Sequence, residues 1–268
     1  SDVCSSDLAN LFDEKLEFNS PESIFELDYD NVNRINHWQF DMGSRTVVAT
    51  FGEGCYFAGY DVALPTEYAY KSKSEGGIWE EGDLRRDESI RYDFTYLGIT
   101  PTEVSWGADE LDPHIKKYED ERTDQFNGNL ANEWYSGKNF IVLRYADVLL
   151  CYAECLNELG ETGQANTIVN QVRARAWGGT LPNEMAWNYG QDEFRTQIMN
   201  ERIRELCFEG WRRMDLIRTG KFVELIKERN SWAKKSGTIK DFHMRYPIPD
   251  TEIKNNDDIS EEDQNPGY

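Results

Sequence analysis

The stretch Asn200–Gly220, NERIRELCFEGWRRMDLIRTG, is the part of the sequence that decides the fold. It carries five arginines and four acidic residues, so its charges sum to +1 in a chain whose net charge is −21. Acidic and basic residues lie three or four positions apart, a spacing that places their side chains next to each other on a helix. The stretch therefore predicts helical structure whose charges neutralise one another.

Apolar residues stand between these charges, so the helices that carry them have a face to bury. Arginines close to a core usually meet carboxylates in hydrogen-bonded pairs. We therefore predict a structural ion-pair network here, in preference to a catalytic carboxylate site. Its predicted members are Glu201, Arg204, Glu209, Arg212, Asp215 and Arg218.

A helical hairpin is predicted just upstream. One apolar stripe begins at Tyr145 and ends at Leu159, with Gly160 placed to cap the helix. A second stripe runs from Ala165 to Ala176, and the small and apolar positions of the pair fit a tetratricopeptide (TPR) pattern. A lone hairpin cannot bury its own face, so we expect further helices to pack on it. The fold class is predicted to be mainly α, with TPR-like hairpins packed against an irregular, loop-rich region containing a few short strands.

The loop-rich region spans residues 20–138, before the helical region of residues 139–268. Two short runs within it, Ser23–Tyr29 and Thr46–Phe51, predict strands because the first alternates and the second is β-branched. From residue 71 to 138 the sequence is polar and acidic, without a helical period, which predicts irregular structure. Residues 1–19 contain no signal peptide, and Cys4 lacks a lipobox before it, so we expect an arbitrary or artefactual start.

Aromatic and planar polar side chains are concentrated in the first loops of this region. Exposed rings stack on the apolar faces of sugars, while amides and guanidinium groups bind sugar hydroxyls. A ring in a loop can equally be part of the core. The predicted ligand-binding residues are Arg34, Asn36, Trp38, Tyr56 and Tyr60, with Trp79 in reserve beside a Gly-Gly turn.

Composition argues against several other classes of protein. A net charge of −21 without any basic run does not suit nucleic-acid binding. The five cysteines include no CxxC, and the three histidines are far apart, so we expect no metal site and no cofactor. No apolar run approaches the length of about 18 residues that a transmembrane helix needs.

Five motifs in a fixed order carry a resemblance to a known family. They are RYADVLLCYAECLNELG, VNQVRARA, ERIRELCFEGWRRMDLIRTG, RYPIP and the terminal QNPGY. Together with IFELDY, PTEYAY and GDLRRD upstream, they resemble the C-terminal portion of the SusD/RagB family over roughly residues 20–268. Two positions depart from the family pattern, because Arg213 stands where an aromatic is common and Asp257 where a proline is.

The resemblance implies a non-enzymatic, surface-exposed lipoprotein of the outer membrane in Bacteroidetes. Such a protein serves nutrient uptake and polysaccharide utilization: it captures an oligosaccharide and delivers it to a TonB-dependent transporter. The family's first, TPR-bearing half and its lipid anchor are not part of this chain. We therefore expect the hairpin of residues 145–176 to expose apolar surface.

Two other functions remain open from the residues themselves. A TPR-type scaffold that binds proteins or peptides would show more repeats and would not need loops that carry rings. A glycoside hydrolase would need a pair of carboxylates, for which Asp61, Glu80 and Asp83 are candidates among fifty acidic residues.

Overall fold

The computed structural model describes residues 8–16, 20–30, 32–101, 112–127 and 135–268. Residues 1–7, which include Cys4, lie outside the described part of the chain. The expectation of an arbitrary start therefore stays a prediction. The chain divides into two compact units. The first consists of Ser1–Pro65 with Ala69–Arg212, and the second of Thr66–Tyr68 with Arg213–Tyr268. The boundary drawn from the sequence between residues 138 and 139 falls inside the first unit.

The described residues are mainly helical with a few short strands, which confirms the predicted fold class. No helix among them combines the length and the apolar content of a membrane span. The helices are α1 Leu8–Leu11, α2 Trp38–Met42, α3 Arg45–Phe51, α4 Glu67–Tyr70, α5 Arg85–Ser89, α6 Tyr145–Glu158, α7 Thr162–Ala176, α8 Gln191–Leu206, α9 Arg212–Arg218, α10 Phe222–Arg229, α11 Ser231–Ser236 and α12 Asp250–Asn255. The strands are β1 Ser23–Leu27, β2 Ile90–Arg91, β3 His114–Ile115 and β4 Phe140–Arg144.

Helices α6 and α7 form the predicted hairpin, and α8 packs against both. The turn follows Gly160, whose φ of 85° is a conformation that glycine adopts without strain, and Glu161 N–H donates to the carbonyl of Leu156 at 2.9 Å. The three helices enclose the largest apolar core of the first unit. Its fully buried members include Leu150, Ala153, Ala165, Val169, Val172, Phe194 and Ile198.

The buried face of α6 differs from the apolar stripe that the sequence predicts. Leu149 and Leu156 are buried, but Tyr152 is 50% exposed and Leu159 76% exposed. Because Leu150 and Ala153 lie in the core, the buried face of α6 is rotated from the stripe that the sequence suggested. An apolar strip therefore remains on the outside of the helix.

Two small antiparallel sheets connect distant parts of the first unit. Strand β1 pairs with β4, so that Leu27 lies opposite Phe140, and β2 pairs with β3. The predicted strand at residues 23–29 is confirmed for its first five residues. Through this pairing the loop-rich region and the helical region share a sheet.

The strand predicted at Thr46–Phe51 is wrong, because these residues form helix α3. Ser44 caps the helix: its hydroxyl oxygen accepts a hydrogen bond from Val47 N–H at 3.3 Å. Val47 is fully buried in a cluster with Phe57 and Phe94. Capping and burial outweigh the β-branched side chains, whose preference for strands is only about 1 kcal/mol.

A buried ion-pair network crosses the first unit and is centred on the last turns of α8. Glu201 accepts hydrogen bonds from Arg85 at 2.7 Å and Arg173 at 2.8 Å. Glu205 accepts from Arg144 at 2.6 Å, from Arg85 and from Arg175. The network joins six cations to six carboxylates: Arg85, Lys117, Arg144, Arg173, Arg175 and Arg204 with Glu22, Glu80, Asp83, Glu201, Glu205 and Glu209.

Some of the predicted pairs form and others are replaced. Glu201 pairs with Arg204 at 2.7 Å and Asp215 with Arg218 at 2.9 Å, as their spacing indicates. Glu209 instead binds Lys117 and Arg144. The helical spacing does not extend to Glu209, because α8 ends at Leu206 and the chain turns through Phe208 and Gly210 at positive φ. Arg212 donates to the carbonyl of Met199 at 3.2 Å.

Cation–π contacts join three side chains of the second unit. The guanidinium carbon of Arg213 lies 4.6 Å from the ring centre of Phe222 and 4.2 Å from that of Tyr246. Arginine therefore fills a position between two rings by cation–π contact. The C-terminus is fixed by Tyr268, whose hydroxyl donates to the carbonyl of Arg245 at 2.8 Å.

Candidate functional site

Trp38 presents an exposed ring at the start of α2. Its ring centre lies 5.8 Å from that of Tyr118 and 5.4 Å from that of Phe140, at angles of 27° and 25°. Tyr118 and Phe140 are nearly parallel to each other, at 5°. Stacking of this kind holds the indole in one orientation, yet 38% of Trp38 stays exposed. We call these three rings the aromatic platform.

The backbone around the platform is closely packed. A Cβ on Gly43 would lie 2.3 Å from the carbonyl oxygen of Ala58, and one on Gly59 would lie 2.1 Å from that of Phe40. Only glycine permits this approach between α2 and the following loop. Tyr60 follows in that loop, with its ring at 88° on Phe40 and its hydroxyl 3.4 Å from Glu53. Helix α2 thus carries Trp38 of the platform and contacts the ring of Tyr60 through Phe40.

Strand β1 and the loop after it carry exposed apolar and polar side chains. Leu27, opposite Phe140, is 43% exposed, and Phe25 is 55% exposed. Arg34 lies in the loop after β1, where its guanidinium is 2.8 Å from Asp28 and 3.1 Å from Asp30. Its side chain is 59% exposed, so it can still reach a ligand.

Asn36 supports the aromatic platform through hydrogen bonds to the backbone. It is buried, its side-chain amide donates to the carbonyl of Lys138 at 2.9 Å, and its side-chain oxygen accepts from Trp38 N–H at 3.1 Å. Both ends of the amide are therefore engaged within the protein. Asn36 orients Trp38 and does not itself face a ligand.

Two predicted rings lie elsewhere. Trp79 is 1% exposed, and its indole N–H donates to the carbonyl of Ala69 at 2.6 Å. It is therefore a core residue and has no surface to offer a ligand. Tyr56 is half-buried beside Phe57 and Tyr96, and its hydroxyl accepts a hydrogen bond from Arg91 at 3.2 Å. Burial raises the pKa of Tyr56 to about 12, against the opposing charge of Arg91.

The two partners of Trp38 were not predicted as site residues. Phe140 begins a strand, and Tyr118 lies in the polar stretch for which the sequence predicts irregular structure. Tyr118 is fixed by donating its hydroxyl proton to the carbonyl of Phe208. No local pattern connects positions 38, 118 and 140, because the fold alone brings them together.

The acidic residues considered for glycoside hydrolysis are committed to ion pairs. Asp83 binds Arg85 at 2.7 Å, and Glu80 binds Arg173 at 2.6 Å. Asp61 lies 2.6 Å from the Nε2 atom of His114. All three carboxylates are at least nine-tenths buried and each has a basic partner. Among the described residues no group of three or more His, Cys, Asp or Glu side chains is placed to hold a metal ion.

Comparison with known proteins agrees with the architecture. At 24% sequence identity and a TM-score of 0.70, the solved structure of a laminarin-binding SusD-like protein matches 98% of this chain and 53% of its own. SusD-like protein P2 of Formosa agariphila is 29% identical over 98% of this chain and 51% of its own length. The starch-binding protein SusD of Bacteroides thetaiotaomicron is 28% identical over 58% of this chain and 26% of its own.

The chain spans about half the length of SusD-like protein P2 and of the laminarin-binding structure. The model of the SusD family matches residues 21–268, which include the aromatic platform, the helical hairpin and the buried ion-pair network. This match confirms the resemblance carried by the five sequence motifs. The chain therefore belongs to the SusD family.

Proposed function

We propose that this protein is a non-enzymatic glycan-binding protein of the bacterial cell surface. Membership of the SusD family supports the class, and relatives named for starch and laminarin binding indicate an oligosaccharide as ligand. The observation that carries the proposal to particular residues is the aromatic platform. A ring that is both oriented by stacking and exposed is suited to bind the apolar face of a sugar.

Trp38 is the anchor of the proposed site, and Arg34 and Tyr60 contribute polar groups. The guanidinium of Arg34 is already oriented by Asp28 and Asp30, so little side-chain entropy is lost when it meets a hydroxyl. Tyr60 offers a hydroxyl on the adjoining loop. Specificity for one glycan would follow from the placement of these few side chains.

Trp38→Ala tests the site. We expect it to weaken binding of the cognate oligosaccharide by roughly 1–3 kcal/mol, the loss typical of an anchor residue, measured by titration calorimetry with starch- and laminarin-derived oligosaccharides. The matched control is Trp232→Ala, because Trp232 is 79% exposed in the second unit. Equal affinities of the two variants would contradict the assignment, and circular dichroism would show whether Trp38→Ala remains folded.

Delivery to a TonB-dependent outer-membrane transporter is the second part of the proposal. It rests on family membership, as does surface exposure at the outer membrane. Affinity purification of the tagged protein from detergent-solubilised outer membranes should recover the transporter. A transporter gene directly upstream would support the pairing, and recovery of the tagged protein without any transporter would argue against it.

The buried carboxylates favour binding over hydrolysis. Incubation with a panel of polysaccharides should release no reducing sugar, and measurable release would restore the hydrolase hypothesis. A peptide-binding scaffold is the remaining alternative, and parallel arrays of glycans and peptides distinguish it, since the proposal predicts signals on the glycans.

A further inference from the structure

A cavity of about 200 Å³ opens in the first unit, and its described lining does not include the three rings of the aromatic platform. Its walls come from the segment after α1, from Tyr56, from strand β2 and from the residues after β3. Phe12 and Tyr56 supply aromatic surface, and the rest of the lining is largely charged. Its volume is far above the ~10–15 Å³ that one water molecule requires, so a small organic molecule has room.

The four cations that line the cavity are occupied by acceptors of the protein. Lys15 binds Glu121 at 3.0 Å, and Lys138 donates to the carbonyl of Glu119 at 2.7 Å. Arg91 binds the Glu119 carboxylate, and Lys116 donates to the carbonyl of Asp87 at 2.9 Å.

The carboxylates of the lining exceed its cations by one. Among the described residues of the lining, five are acids, Asp13, Glu14, Glu88, Glu119 and Glu121, and four are cations. Glu14 is only 7% exposed, and its Oε1 atom accepts no hydrogen bond from the described residues. A buried carboxylate oxygen without a hydrogen-bond donor loses its hydration without compensation, and the loss is larger when the group is charged. The site therefore has one acceptor and one negative charge to spare.

A metal ion is a poor fit to this arrangement. Metal ions in proteins need several ligands at once, and the described acidic side chains form no such group here. A ligand that brings both a hydrogen-bond donor and a positive charge satisfies Glu14 and neutralises the cavity. We propose that the cavity binds a primary ammonium group, on an aliphatic amine or an amino sugar, with Glu14 Oε1 as its acceptor.

The energetics of Glu14 separate this role from a structural one. Burial raises the pKa of Glu14, opposed by a backbone hydrogen bond and by Lys138. Because the folded pKa lies above the unfolded one, ionised Glu14 destabilises the free protein at neutral pH. Glu201, Glu205 and Glu209 of the buried ion-pair network behave in the opposite way, because their arginine and lysine partners lower the pKa against the effect of burial. The proposal is independent of glycan binding at the platform.

The test compares charged ligands with neutral ligands of the same shape. Propylammonium is titrated against 1-propanol and glucosamine against glucose, at pH 7, by calorimetry. The charged member of each pair should bind more tightly, and Glu14→Gln should weaken that binding by roughly tenfold to a hundredfold, as for one charge-assisted hydrogen bond. Without ligand, Glu14→Gln should raise the melting temperature by a few degrees.

The control variant, Glu224→Gln, removes one exposed carboxylate from the second unit and changes the net charge equally. It should leave binding and melting temperature nearly unchanged. If glucosamine binds more tightly than glucose but propylammonium no more tightly than 1-propanol, the ligand is an amino sugar. If only propylammonium is preferred over its neutral counterpart, the ligand is an aliphatic amine. The proposal would be overturned by equal binding within both pairs of ligands, by no binding at all, or by equal losses of affinity in both variants. It would also be overturned if Glu14→Gln had a lower melting temperature. The cavity would then be filled with water, or Glu14 would be a structural carboxylate.

Discussion

Glu205 is a carboxylate of the buried network that three arginines share. Arg85, Arg144 and Arg175 all donate to it, and it is completely buried. Burial alone would raise the pKa of Glu205, but the three guanidinium charges outweigh it and hold the pKa well below its ordinary value. The glutamate is therefore charged at neutral pH, and the three arginines around it depend on that charge.

Glu205→Gln should destabilise the protein by about 3–5 kcal/mol, because three buried guanidinium groups lose their counter-charge. Urea unfolding followed by circular dichroism measures the loss. Asp215→Asn is the comparison, since Asp215 is buried but its partner Arg218 is 41% exposed, so that solvent screens the pair from one side. We expect that change to cost about 1 kcal/mol. Similar losses in the two variants would refute the distinction between the fully buried network and this half-exposed pair.

Residue type and position in the sequence do not separate Trp38 from Trp79. Both tryptophans belong to stretches rich in turn residues, yet one is 38% exposed and the other 1%. Their burial depends on Tyr118 and Phe140 in one case and on the backbone of Ala69 in the other. The same holds for Glu209, whose partners lie 65 and 92 positions away. Local spacing predicted that charges pair, but it could not identify partners at such distances.

Among the elements, the long helices were predictable and the short ones were not. The apolar periods of α6 and α7 extend over several turns, and Gly160 marks the end of the first. Helix α3 is only seven residues long, so one capping serine and one buried valine decide against its β-branched sequence. The candidate site is built from such short elements. Its general region was therefore predicted, while the geometry that selects Trp38 required the structure.

The outer face of α6 leads to a prediction about how the purified chain behaves in solution. Tyr145, Val148, Tyr152 and Leu159 follow a helical spacing and are all at least 36% exposed. We expect this apolar strip to bind a hydrophobic dye or to promote self-association of the purified chain. The double variant Tyr152→Lys, Leu159→Lys should reduce the effect, whereas Val62→Lys, a change at another exposed apolar residue, should not. A monomer that binds no dye and melts sharply would contradict this expectation.

For the molecule as a whole, the surplus of negative charge lies outside the buried network. The six cations and six carboxylates of that network cancel, whereas the whole chain carries −21. Repulsion among the remaining acids is felt mainly at the surface, where solvent and salt screen it. The buried network is thus electrically balanced in spite of the acidic composition of the chain.

Acid stability follows from the lowered pKa values of Glu201 and Glu205. Burial opposes ionisation of Glu201, but Arg85, Arg204 and Arg173 more than compensate for it. Because the folded pKa lies below the unfolded one, the stabilisation is complete above the ordinary glutamate pKa of about 4.3 and is lost as the pH falls below it. The urea midpoint of Glu205→Gln should therefore depend less on pH below about 4 than that of the unaltered protein. An identical dependence in both proteins would exclude the network as its source.

The distances along the chain between members of the buried network determine the order in which the protein can fold. Arg85 and Glu201 are 116 residues apart, and Glu22 and Arg175 are 153 apart. Synthesis proceeds from the N-terminus, so Arg85, Arg144 and Arg175 emerge while Glu201 and Glu205 are still missing. Burying guanidinium groups without their acceptors is too unfavourable to precede the arrival of α8. The first unit is consequently expected to fold late and in one cooperative step, slowly for its size because its decisive contacts close such long loops.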